Sequence, residues 1–154
     1  MIRKFFIAIL ISVAALAGGA FGYLRAQTSS QQDQSDIPAY HADAPKPPLP
    51  ATLDPKLFPD TLNQNIYALA AKEKSVLYQQ PCYCRCDREV GHKSLLDCYV
   101  DRHASVCSVC KMEAVLAYQQ TKLGKTPAQI REAIIQGKWK EVDMSKYNLP
   151  PAAK

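Results

Sequence analysis

The first pattern along the chain is an uncharged apolar run. Arg3 and Lys4 precede residues 5–24, none of which carries a formal charge. As a helix rising 1.5 Å per residue, such a run reaches about 30 Å, one hydrocarbon core. The basic flank stays on the cytoplasmic side, which sends everything beyond Arg25 to the outside. Residues 1–26 therefore read as an uncleaved N-terminal membrane anchor or a signal peptide, with small residues at Gly18, Gly19, Ala20 and Ala26 for a cleavage site. No cysteine stands near the end of the run, so the pattern excludes a lipoprotein anchor.

Polar and proline-rich sequence follows. Residues 27–34 are Gln, Thr, Ser and Asp, and Pro38, Pro45, Pro47, Pro48, Pro50, Pro55 and Pro59 come next. That composition favours extended, polyproline-like chain and predicts a linker over residues 27–59.

Helical periodicity begins at Asp60, a capping residue for a helix reaching about Tyr78, with Leu62, Ile66, Leu69, Ala70 and Leu77 on one stripe. Pro81 ends it and opens a cysteine-rich loop over residues 81–91. Ser94 as cap and Asp97 in the first turn predict a short helix to about Arg102. A longer helix should run from about Ser105 to Gly124, with Val109, Met112, Leu116 and Leu123 at helical spacing. Thr126-Pro127-Ala128-Gln129 is a capping box with proline at the first helical position. It opens a last helix that buries Ile130, Ala133 and Ile134 and stops at Gly137, after which Trp139 should fold back onto the core. Residues 144–154 read as a flexible tail. No strand pattern and no repeat occur. The predicted fold is all-α: a Cys-rich helical domain of three to four helices over residues 60–143, behind the N-terminal segment.

Composition changes this picture in two ways. About eighty residues make a small core, a size that often needs disulfides or a metal. The net charge of +5 includes Arg3, Lys4 and Arg25, and the remaining basic residues are scattered with no aromatic platform among them. That argues against a nucleic-acid partner.

The candidate chemistry lies in six cysteines: Cys82, Cys84, Cys86, Cys98, Cys107 and Cys110, with His92 and His103 among them. An even number of cysteines in an oxidising compartment suits a disulfide framework, in which the clustered three would pair with the other three. Alternating thiols in an extended loop, plus Cys107-x-x-Cys110 at a helix start, also suit a soft metal. Thiolate favours copper(I), zinc and mercury, and six sulfurs with two imidazoles exceed the four ligands of one tetrahedral zinc. Redox chemistry is a third reading: a helix N-terminus lowers the pKa of Cys107, Cys110 could resolve, and His103 could act as base. No βαβ pattern accompanies it. Covalent haem lacks its motif, because Lys111 and not histidine follows Cys110. His41, in the linker, reads as solvated. His92 is either a ligand or a surface-loop residue, and His103 is the better candidate ligand. Met112 reads as core, and Tyr83 and Tyr99 as packing beside the sulfurs.

Pro81-Cys82-Tyr83-Cys84-Arg85-Cys86, Gly91-His92, Asp97-Cys98-Tyr99 and His103 before Cys107-x-x-Cys110 resemble the CYCXC family of (seleno)proteins, also described as the PCYCGC-motif domain. The likeness runs from about residue 60 to 142. Arg85 stands where the named motif has glycine, placing a positive charge between two thiols. The resemblance implies that some relatives carry selenocysteine at signature positions. Selenium serves redox reactivity or soft-metal donation, so the likeness favours those readings over purely structural bridges.

The sequence thus predicts an extracytoplasmic thiol protein that binds copper or zinc through Cys82, Cys84, Cys86, Cys98, Cys107 and Cys110, with His103 as helper. It would exchange metal with a donor or acceptor protein. The alternatives are a thiol–disulfide protein with a redox partner, using Cys82 or Cys84 with Cys107 and Cys110, and a disulfide-stapled interaction domain.

Overall fold

The computed structural model describes residues 36–149, so the apolar run 5–24 and the predicted anchor or signal lie outside the described residues. Among the described residues no helix is long and apolar enough to cross a membrane. Seven α-helices and no strand occur there.

Helix α1 (Thr61–Lys72) starts where Asp60 accepts a 2.8 Å hydrogen bond from the Asn63 amide, as its position before the periodic stripe predicts. It buries Ile66, Tyr67, Leu69 and Ala70. The expected continuous helix is interrupted at Glu73, whose backbone leaves helical geometry (φ −104°, ψ 18°), and α2 (Lys74–Leu77) resumes on the far side. The cysteine-rich loop expected over residues 81–91 contains a turn of helix, α3 (Cys86–Glu89). Then come α4 (Asp97–Val100) and α5 (His103–Val106).

Two expectations about helix starts are corrected. The Ser94 hydroxyl caps nothing; instead Asp97 reaches back, its Oδ2 accepting from the amides of Lys93 (2.6 Å) and Ser94 (3.2 Å). The long helix α6 spans Ser108–Lys122 and does not start at Ser105, because Cys107 takes extended backbone (φ −105°, ψ 111°) and separates it from α5. Helix α7 (Pro127–Ile135) has both halves of the capping box, Gln129 N–H to Thr126 Oγ1 and Thr126 N–H to Gln129 Oε1. Gly137, at φ 75°, turns the chain so that Trp139 is buried against α6 and α7.

The core is one cluster that includes Ile66, Tyr67, Leu77, Leu95, Leu96, Tyr99, Val115, Ile130 and Ile134. Each such side chain contributes about 1.5–3 kcal/mol by leaving water. Residues 37–149 group as one compact unit, and this revises the expected linker. Residues 37–59 hold no α-helix or strand, only a 3₁₀ turn at Pro55–Leu57 capped by Asp54, but lie on the helices. Phe58 is 3% exposed, with its ring 4.1 Å from that of Tyr67, and the Leu53 amide donates to the Tyr99 carbonyl at 2.9 Å. Arg131 sits over the Tyr40 ring at 4.6 Å. His41, read as solvated, stacks on Tyr78 with ring centroids 3.9 Å apart. The physical reason is spacing: Leu49, Leu53 and Phe58 punctuate the prolines and give the chain apolar anchors, and Pro38 is itself buried. The predicted tail is likewise tied down as far as residue 149. A 3₁₀ turn, Met144–Tyr147, is held by Asn65 Nδ2, which donates at 2.8 Å to the carbonyls of Tyr147 and of Leu149.

Candidate metal centre

Four short segments deliver the six thiols. Cys82 and Cys84 come from the loop leading into α3 and Cys86 from its first position, Cys98 from α4, and Cys107 and Cys110 from the residue before α6 and its first turn. The Cys-x-Cys-x-Cys stretch is a turn and not the extended run expected of alternating thiols. The Arg85 amide donates to the Cys82 carbonyl at 3.3 Å, and Arg85 takes the left-handed conformation at φ 66°, ψ 23°. That reversal brings Cys82 and Cys84 within 3.3 Å at sulfur, where an extended strand would set same-face neighbours about 7 Å apart.

The loop also meets the helix. Cys110 Sγ lies 3.4 Å from Cys82 Sγ and 3.6 Å from Cys84 Sγ, while Cys86 and Cys98 touch at 3.4 Å. His103 Nε2 is 3.4 Å from Cys84 Sγ. All six cysteines are free thiols in this structure. Two sets of donors have every ligand atom within 4.8 Å of the others: Cys82, Cys84, Cys86 and Cys98, and Cys84, Cys98, His103 and Cys110. Tetrahedral sulfur ligands with 2.3 Å bonds stand about 3.8 Å apart, so either set is near the size of one ion's coordination shell. Cys107, predicted as a ligand with the rest, is in neither set and is half-buried.

Interactions among the sulfurs split their acidities. Cys84 is lowered, first by its hydrogen bond with Cys107 and then by those with Cys110 and Cys82. Cys98 comes down to about 4 through hydrogen bonding with Cys110 and Cys82. Cys82 and Cys86 are pushed up, Cys82 chiefly by Cys110 and Cys86 chiefly by Cys82. Cys110 rises chiefly through Cys107. The contacts thus favour the thiolate form at Cys84 and Cys98 and the thiol form at Cys82, Cys86 and Cys110. Desolvation works against a charged His103, but the bond to Cys84 and the negative potential of Cys98, Cys84 and Asp101 outweigh it and raise its pKa.

The surroundings hold residues that the sequence reading missed. Glu113, one turn beyond Cys110, is 0% exposed, and its Oε1 accepts from the Tyr83 amide at 2.9 Å. That bond pins the thiol loop to α6. Burial pushes the Glu113 carboxyl well above its ordinary range. Its sequence signal is a charged residue on the same helical stripe as Cys110 and Ala117. Tyr99 fixes the opposite side: its buried hydroxyl donates to the Cys110 carbonyl at 2.8 Å. His92, open between ligand and surface residue, is 11% exposed, with Nδ1 at 3.4 Å from Cys98 Sγ and Nε2 at 3.7 Å from Asp101. It belongs to neither donor set but orients a thiol that belongs to both. Met112 packs at the edge of the core as expected.

Among curated proteins and among solved structures, nothing matches the chain. Residues 8–150 match the family described as "Protein of unknown function with PCYCGC motif". The geometry explains the one departure, since the motif's glycine falls at the left-handed residue that Arg85 occupies here. With nearly its whole length matched and the signature cysteines gathered at one place, the chain belongs to the PCYCGC-motif family.

Proposed function

We propose that this protein binds a soft metal ion outside the cytoplasmic membrane, copper(I) in preference to zinc, and captures it or passes it to a partner protein. The observation that carries the reading is the convergence of five thiols and His103 into two overlapping four-donor sets. A disulfide framework needs separate pairs, whereas Cys82, Cys84 and Cys110 form a triangle of mutual contacts. Soft thiolate and imidazole select copper(I) and zinc over hard cations. The extracytoplasmic site is supported by the basic flank and apolar run at the N-terminus.

The test is titration of the reduced protein with copper(I) or zinc against a competing chelator. The reading expects the protein to win metal from the chelator, and Cys84→Ser, which removes a donor common to both sets, to weaken binding at least about tenfold. Cys107→Ser changes binding little. A protein that takes neither metal from a weak chelator contradicts the reading.

One observation favours a second reading. Cys84 is half-exposed and low in pKa, with Cys107 and Cys110 beside it, the features of an attacking thiolate with a resolving partner. It predicts rapid, selective alkylation of Cys84 in the metal-free protein.

A further inference from the structure

Resting on the metal-binding reading above, we infer that the site holds two soft ions, bridged by the sulfurs of Cys84 and Cys98. The two donor sets are not alternatives on separate ground: they have Cys84 and Cys98 in common and differ only in Cys82 with Cys86 against Cys110 with His103. One tetrahedral ion uses four donors. An ion in the first set leaves Cys110 and His103 idle although both lie within 4.8 Å of the shared sulfurs, and His103 Nε2 is 3.4 Å from one of them. An ion in the second set leaves Cys82 and Cys86 idle in the same way. A thiolate sulfur keeps enough lone pairs to bind two ions at once. Two tetrahedra sharing the Cys84–Cys98 edge therefore use all six donors, each ion completing its shell with two donors of its own.

The arrangement has mechanical sense. The first ion ties the loop before α3 to α4, through Cys82, Cys84, Cys86 and Cys98. The second ties α4 to α5 and α6, through Cys98, His103 and Cys110. Helices α3, α4 and α5 have four residues each and no long hydrophobic face. Cys82 and Cys110 end as donors to different ions, so their 3.4 Å contact is released, while sulfurs sharing an ion relax to the spacing of its shell. His92 Nδ1, 3.4 Å from Cys98 Sγ, stands where an N–H can donate to a bridging sulfur. Each coordinating thiol gives up its proton to solvent as its metal–sulfur bond forms, with no change of oxidation state.

The experiment loads the reduced full-length chain, in detergent, with cadmium enriched in an NMR-active isotope. The inference expects two ions per chain and two cadmium resonances, each split by the other through the shared sulfurs. His103→Ala should move one resonance much more than the other, because only one ion has a nitrogen donor. One ion per chain overturns the bridged pair and leaves a single-ion site standing. Two resonances without mutual splitting overturn the bridge as well, and both moving alike in His103→Ala contradicts the donor assignment. No bound cadmium overturns this inference and the metal-binding reading together.

Discussion

Arg85 is where one side chain departs from what its backbone asks. At φ 66° a residue with a Cβ is strained by about 1–2 kcal/mol, and glycine is not. Glycine also loses more entropy on folding, so Arg85→Gly should raise the stability of the metal-free protein by up to about 1 kcal/mol, measured by denaturant unfolding. The turn, and with it the sulfur geometry, stays, so metal content should not change. Glu113 makes the opposite case, a residue whose backbone is ordinary and whose side chain is costly. Its pKa is raised in the folded protein, so the stability it contributes is full below the ordinary glutamate value and is lost as pH rises through the folded value. Glu113→Gln keeps an acceptor for the Tyr83 amide and should flatten that fall, making the metal-free protein more stable than wild type at alkaline pH. Glu113→Ala leaves the amide without its partner and should cost about 1–3 kcal/mol at acidic pH, the cost shrinking as pH rises and wild type loses the Glu113 contribution. At this scale the thiols were legible because cysteine announces its own chemistry. Glu113 was not, because its meaning depends on an amide thirty positions away.

At the scale of elements, the caps at Asp60 and Thr126 read true, the cap at Ser94 did not, and distant contacts were not legible. Asp60 and Thr126 cap their helices from three residues away, so the sequence carries both partners of each bond. The interruptions at Glu73 and Cys107 have no proline or glycine to mark them. The break at Cys107 matters for the site, since it lets α5 and α6 approach the cluster as separate pieces and sets His103 and Cys110 on different helices. The 37–59 segment misled for a compositional reason: repeated prolines break helix interiors and sheet pairing but do not prevent burial of the apolar residues between them. Phe58 is the anchor to test. Phe58→Ala should destabilise the fold by about 3 kcal/mol, as for a core phenylalanine, seen as a lower midpoint in denaturant. A free tether would show no change.

For the whole molecule, α1, α6 and α7 provide a conventional hydrophobic core, while the Cys-bearing third of the unit consists of short turns. The all-α class was legible from periodicity and from the absence of alternation. The meeting of the two halves of the motif was not, because the Cys82–Cys110 contact closes over 28 positions and depends on how the loop before α3 is pinned to α6. A cluster of free sulfurs at close range in this region would be held most firmly by metal, and binding free energy adds directly to folding. The most direct test is metal analysis and intact mass of the full chain, purified from its native cells without reductant or chelator. The account predicts bound copper or zinc, and six thiols open to alkylation once the metal is stripped. A metal-free protein six hydrogens light, with its six cysteines in three disulfides, would contradict it.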